Sequence, residues 1–223
     1  MMKRSALVLV AMMAASFPAS AVELEETLVR LMAGLDGAFD SGPQLAAEKL
    51  SGTPQDKQHV RVHRAFVRID APDVGDNVFV VTLRDGGPDG PIDMIEFQLW
   101  TLEIDKERNA VKMAPQRFKD PERYAAIGDE PEKMKGLKAS QLVPSEGAAA
   151  CSIYWRAVDE MVHGASGKPC LGAVRPGRPV LSWEWTYILG DDALWMSFAG
   201  RGDDGEVVFG RQDQLPWRLD KVN

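Results

Sequence analysis

Soft metal ligands and strong nucleophiles are scarce here: 223 residues include three histidines and two cysteines. No Gly-x-Ser-x-Gly elbow, Walker loop or His-Glu-x-x-His helix occurs. Acyl transfer by a serine elbow, P-loop phosphate chemistry and zincin-type hydrolysis therefore lack their usual sequence signatures. Ser, His and Asp are all present, but no spacing singles out a triad. Basic runs are missing as well, and the formal net charge is −7. An acidic chain without a cationic stretch offers no footprint for nucleic acid or for an anionic lipid surface. Beyond the N-terminus, charges, Gly or Pro interrupt every apolar segment well short of the roughly 20 residues that a membrane helix needs. No internal repeat has a convincing period, so a solenoid is not expected.

The N-terminus is different. Met1-Met2-Lys3-Arg4, an apolar run from Ala6 to Phe17 and Pro18-Ala19-Ser20-Ala21 form a basic segment, a short apolar core and a small-x-small cleavage site. That pattern predicts a secretory signal peptide over residues 1–21, with cleavage after Ala21 and a mature chain that starts at Val22. No Cys follows the apolar core, so a soluble, periplasmic or secreted product is expected rather than a lipid-anchored one. Loss of Lys3 and Arg4 takes the charge from −7 to −9. In an oxidising compartment the two cysteines, Cys151 and Cys170, are most simply one disulfide. A loop of about 20 residues closed in this way is worth roughly 3 kcal/mol in the chain-entropy description.

The remainder, 22–223, reads as one domain. Leu24, Leu28, Leu31, Met32, Leu35 and Phe39 recur at helical spacing behind Glu23, Glu25 and Glu26, which suit a helix N-terminus. Ser41-Gly42-Pro43 ends that helix, and Pro43 to Glu48 suggests a second short one. Strand patterns follow at His59 to Asp70, Asn77 to Arg84, Asp93 to Asp105, Ala110 to Phe118, Cys151 to Ala157, Val180 to Leu189, Ala193 to Ala199 and Glu206 to Arg211. Turn-rich stretches such as Gly190-Asp191-Asp192 and Gly202-Asp203-Asp204-Gly205 separate the later ones. Asp120 to Ile127 and Pro131 to Lys138 read as short helical or loop excursions. Many short strands after one helix predict a mainly β fold, an antiparallel barrel or sandwich. In the third strand Ile95, Phe97 and Leu99 share one face, and Glu96, Gln98 and Trp100 share the other. That two-faced pattern suits the wall of an enclosed cavity as well as a solvent-facing sheet.

Candidate chemistry is thin. His59 and His63 share a strand face, but nothing brings His163 to them, so no metal site is expected. Asp203-Asp204-Gly205 resembles part of a calcium loop, yet the alternating acids and terminal Glu are missing. Arg201-Gly202-Asp203 spells an adhesion tripeptide that a hairpin turn explains equally well. Trp183 and Trp185 share one strand face near Trp155, Trp195 and Trp217, which reads as core packing or as the lining of a site for a flat ligand.

In order and spacing the chain resembles the CpcT/CpeT family of phycobiliprotein chromophore lyases. The resemblance rests on Gly37-Ala38-Phe39-Asp40-Ser41 with Gln44, on His63-Arg64, and on Asp120-Pro121-Glu122-Arg123-Tyr124. It continues through the separated cysteines and Arg201-Gly202-Asp203-Asp204-Gly205, with Gly210 and Pro216-Trp217-Arg218-Leu219 at the end. It implies a calyx-like, lipocalin-type antiparallel β-barrel preceded by an N-terminal helix, with a pocket for a linear tetrapyrrole (bilin). In such lyases the acceptor protein supplies the reacting thiol. The family's central strand carries Tyr-Arg-Gln-Arg where this chain has Ile95-Glu96-Phe97-Gln98. Arg grips the propionates of a bilin well, whereas Glu96 repels them. The expectation is therefore an exported, lyase-like barrel that binds a small hydrophobic or tetrapyrrole-like ligand through Arg64, Glu96, Gln98, Trp100, Trp185 and Arg201. A genuine bilin lyase and an envelope protein-interaction module are the alternatives.

Overall fold

The first helix, α1 (Ala21–Leu35), carries its apolar residues on one stripe, and Leu24, Leu31 and Leu35 are buried. That stripe packs into the core of a β-barrel, and Leu28 and Met32 rest on the same cluster. Thr27 hides its hydroxyl by donating to the Glu23 carbonyl at 2.7 Å. Arg30 donates to the carbonyls of Asp159 and Glu160, and Lys221 donates to those of Ala33 and Gly34. A cation on the last turn satisfies carbonyls that the helix leaves unpaired. The chain then breaks at Gly37, whose φ of +125° suits glycine. A computed structural model describes residues 21–127, 130–143, 151–167, 170, 182–213 and 215–222. The expected leader over residues 1–20 lies outside the described residues, and Ala21 opens α1.

Among the described residues eleven strands follow: β1 (Gly37–Asp40), β2 (Val62–Ile69), β3 (Val78–Asp85), β4 (Gln98–Asp105), β5 (Ala110–Gln116), β6 (Ile153–Val158), β7 (Met161–Ser166), β8 (Ser182–Leu189), β9 (Ala193–Arg201), β10 (Val207–Gly210) and β11 (Trp217–Val222). All pairings are antiparallel. β1 to β8 run in sequence order around the barrel, except that β11 enters between β1 and β9. The β8–β9 pairing closes a ten-stranded barrel, and β10 extends β9 beyond the end of β11. The expected mainly β, lipocalin-type barrel behind an N-terminal helix is the fold observed.

Period-two alternation sends Phe66, Val81, Trp100, Met113, Trp155, Tyr187, Met196 and Leu219 inward, where side chains from every wall meet those of α1. Phe97 and Leu99 instead face outward. There Phe118, Tyr124, Met134, Leu137 and Leu142 of segment 118–142 cover them. The Phe97, Phe118 and Tyr124 rings stack in turn at 4.9 and 4.6 Å. The mixed face of the third predicted strand is thus the inner one; of its apolar face, Phe97 and Leu99 are sealed by a second cluster, whereas Ile95 is exposed on the turn before β4.

Several boundaries differ from the sequence reading. Phe39 belongs to β1, not to the first helix, because Gly37 ends the helical geometry. Residues 94–96 form a turn before β4, so the strand expected from Asp93 begins at Gln98. β7 and β11 were not expected as strands. Val180 and Leu181 of the expected eighth-strand segment lie outside the described residues. The second helix, α2 (Gly42–Leu50), and α3 (Pro121–Ala125) form where short helical segments were expected. Cys151 and Cys170 are joined as a disulfide, with Cα atoms 4.4 Å apart.

Candidate ligand site at the aromatic end of the barrel

α1 and the turns after β4, β6 and β8 gather at one end of the barrel. The starts of β2, β4, β6, β8 and β11 gather at the other. Near that second end, on the inner face of β2, Arg64 is fully buried. Its guanidinium carbon lies 5.1 Å from the Trp100 ring centre, 5.5 Å from Phe66 and 6.0 Å from Tyr187. Rings at these distances stabilise a desolvated cation through their quadrupoles. One Nη donates to the Met196 sulfur at 3.7 Å, and the other lies 3.5 Å from a Glu96 carboxylate oxygen. Glu96 stands on the turn just before β4, with its side chain 21% exposed.

An aromatic wall climbs from this charge pair toward solvent. Tyr187, Trp185 and Trp183 lie in series on the inner face of β8, with centroids 6.3 and 6.4 Å apart. Phe198 of β9 packs against Trp185 at 5.1 Å and against Trp217 at 5.3 Å. Phe209 of β10 closes on Trp183 and Phe198. Tyr187 is buried, whereas Trp183, Trp185, Phe198 and Phe209 are partly open. Burial pushes the Tyr187 phenol up to about 12 against the pull of Arg64, so it remains a neutral hydroxyl. The mouth therefore combines flat apolar surface with one buried guanidinium, the pattern of a site for an amphipathic molecule.

Of the six residues singled out in the sequence, Arg64, Glu96, Trp100 and Trp185 meet in this region. Gln98 lies on the same inner face, half-buried at the start of β4. Arg201 does not join them. It alternates with Gly200 and Phe198, so it sits on the outer face, where it donates to Glu184 at 2.7 Å and to the Gly205 carbonyl at 2.9 Å. There it braces the β9–β10 hairpin. Sequence reasoning missed Tyr187 and Phe198, although their spacing from Trp185 and Met196 marks them as inward-facing. The histidines are not brought together, and no acidic, His or Cys cluster of metal-site size occurs among the described residues.

Apart from Arg64, several positions that carried the family resemblance, Asp40, Gln44 and Gly210 among them, belong to the framework. Asp40 accepts from Arg61, from the Gly42 amide at 2.7 Å and from His63 at 3.2 Å. Gln44 ties α2 to β11 through the Pro216 carbonyl and the Arg218 amide. His59 is buried between Glu48 and the Leu215 carbonyl and packs edge-on to Trp217. Gly210 has φ +96°, and an added Cβ there would lie 2.5 Å from the Phe198 carbonyl, so the β10 edge admits only glycine.

These ion pairs set an acid limit. Burial alone raises the Asp40 pKa, but hydrogen bonds from Arg61, Gly42 and His63 outweigh it and hold the group below its ordinary 3.8. Burial likewise opposes the His59 bonds to Glu48, which still keep that carboxyl below 4.5. A group whose folded pKa is depressed stabilises the fold fully above its unfolded value, and that stability is lost as pH falls through the folded one. Urea midpoints should hold steady down to about pH 5 and fall below about pH 4. Asp40→Asn should lower the midpoint at pH 7 and flatten that acid slope. An unchanged slope in the variant would assign the acid transition to other groups.

A closed antiparallel barrel, plugged by a helix at one end and aromatic at the other, defines a calyx protein of the lipocalin-like class. Solved structures that share this fold include two of distant sequence. The CRL protein of Arabidopsis superposes with a TM-score of 0.64 at 11% identity, covering 90% of this chain and 99% of that one. The T-type phycobiliprotein lyase CpeT from Prochlorococcus phage P-HM1 superposes with a TM-score of 0.50 at 12% identity, covering 88% of this chain and 98% of that one. The chain thus has a CpcT/CpeT-like fold. No protein-family model and no curated protein matches the sequence.

Proposed function

We propose that this chain is an exported calyx protein that carries a small hydrophobic or amphipathic, tetrapyrrole-like molecule at the aromatic end of its barrel. The observation behind this reading is the partly open aromatic wall of Trp183, Trp185, Phe198 and Phe209 above a fully buried Arg64. A flat conjugated molecule stacks on such a wall, and its polar group meets the cation below. Export is supported by the leader-like N-terminus and by a disulfide that an oxidising compartment preserves. No described helix is long and apolar enough to cross a membrane. The second reading, a bilin lyase, draws on the fold shared with CpeT, and a fold alone does not carry an activity.

Gentle purification followed by native mass spectrometry, with a screen of bilins, haem and lipids, tests the carrier reading. A stoichiometric adduct is expected. Bare protein throughout the screen would remove the carrier reading, and transfer of bilin to an acceptor thiol would establish the lyase instead.

A further inference from the structure

The interior around Tyr187 is rich in donors. Arg64 Nε, one Arg64 Nη, Trp100 Nε1 and Trp155 Nε1 are buried without a hydrogen-bond acceptor on the described protein. All belong to side chains packed around the Tyr187 ring, with the Trp100 and Trp155 rings at 6.0 and 5.6 Å from it. Buried polar groups without partners are costly, so such an interior calls for an occupant that brings acceptor oxygens. The carboxylate that approaches Arg64 is that of Glu96, and it does so at 3.5 Å from the partly exposed turn before β4.

Resting on the carrier reading above, we infer that the ligand is a carboxylic acid whose acid group replaces Glu96 beside Arg64. Glu96 is the chain's own counter-ion to Arg64. It keeps the buried cation paired until the ligand arrives, and then turns out to solvent from its loop position. The exchange conserves charge. A neutral ligand that displaced Glu96 would strand a buried guanidinium, which is strongly unfavourable. Such a ligand is therefore confined to the aromatic wall above the pair. Glu96, which reads in sequence as a residue hostile to acids, becomes a competitor that sets the affinity for them.

Two probes of one shape test this on the full mature chain: 1-pyrenebutyric acid and its methyl ester, followed by energy transfer from tryptophan. The acid should bind at least tenfold more tightly than the ester. Glu96→Gln should tighten the acid tenfold or more and widen the gap between acid and ester. Equal affinity of acid and ester for the wild-type chain would overturn the inference while leaving the carrier reading standing, with water filling the donor-rich interior. An acid affinity that Glu96→Gln leaves the same or weakens would overturn it as well. Binding of neither probe would remove both. A circular dichroism melt of Glu96→Gln confirms that the comparison is made on folded protein.

Discussion

Arg64→Met should separate binding from stability: the variant melts close to the wild type but loses its hold on acidic ligands. Arg64 is the one fully buried cation of the described interior, and the groups around it are Phe66, Trp100, Tyr187 and Met196. Methionine fills a similar volume and meets the same rings and sulfur favourably. Exchanging a buried ion for a well-packed apolar side chain is often neutral or stabilising, because the cost of desolvating the charge disappears. Glu96 is left without the Arg64 cation but reaches solvent, so its penalty stays small. Stability should therefore change by no more than about 1 kcal/mol. Binding behaves differently, since a ligand acid that loses its buried cation forfeits about 2–5 kcal/mol, roughly thirtyfold or more in Kd. Thermal melts and titrations of the same preparation check both halves. A variant that fails to fold would give Arg64 a structural role instead.

Reduction of Cys151–Cys170 should lower stability by roughly 3 kcal/mol, the chain-entropy value for a loop of this size. At about 2–4 °C per kcal/mol for a domain of this length, Tm should fall by roughly 6–12 °C. The bond joins the residue two places before β6 to Cys170, which exchanges backbone hydrogen bonds with Trp183 at 3.0 and 2.8 Å. It therefore anchors the strand that carries the upper aromatic wall. Differential scanning fluorimetry with and without reductant, repeated on a Cys151→Ser, Cys170→Ser double variant, measures the effect. Coincident melts in all conditions would show that the barrel holds this edge without help. Because the cytoplasm would keep these thiols reduced, a large drop also ties the stability of the fold to export.

Much of the barrel was legible because hairpin spacing and period two are local signals. Val78 to Asp85 and Ala193 to Arg201 needed little more than their β-branched, apolar and aromatic residues and the turns beside them. The missed strands have physical reasons. β1 lies directly behind α1, and Phe39 falls four places after Leu35, so helical spacing runs on across a glycine that ends the helix. β7 hides because Gly164 is empty where Trp155 crosses it: an added Cβ would come within 2.6 Å of that ring. A strand whose inward position must be glycine shows no apolar alternation. The candidate site was half legible. Arg64, Glu96 and Trp100 stood out by chemistry and parity and meet across the β2–β3–β4 meander, yet their meeting with Tyr187 depends on the closure of β8 on β9, which leaves no local trace. Arg201 was placed with them for its charge, whereas its register puts it outside the barrel.

A ligand of this chain should enter at the aromatic mouth and reach the interior. The chain has six tryptophans, distributed so that they report on it. Trp183 and Trp185 line the mouth, Trp100 lies against Arg64, and Trp195 sits on the outer face with Arg218 5.7 Å above its ring. The indole N–H signals of 15N-labelled protein, recorded while 1-pyrenebutyric acid is added, give the most direct test. Trp100, Trp183 and Trp185 should shift together and saturate while Trp195 stays in place. Movement of Trp195 with the other three unchanged would place binding on the outside of the barrel and contradict entry at the mouth.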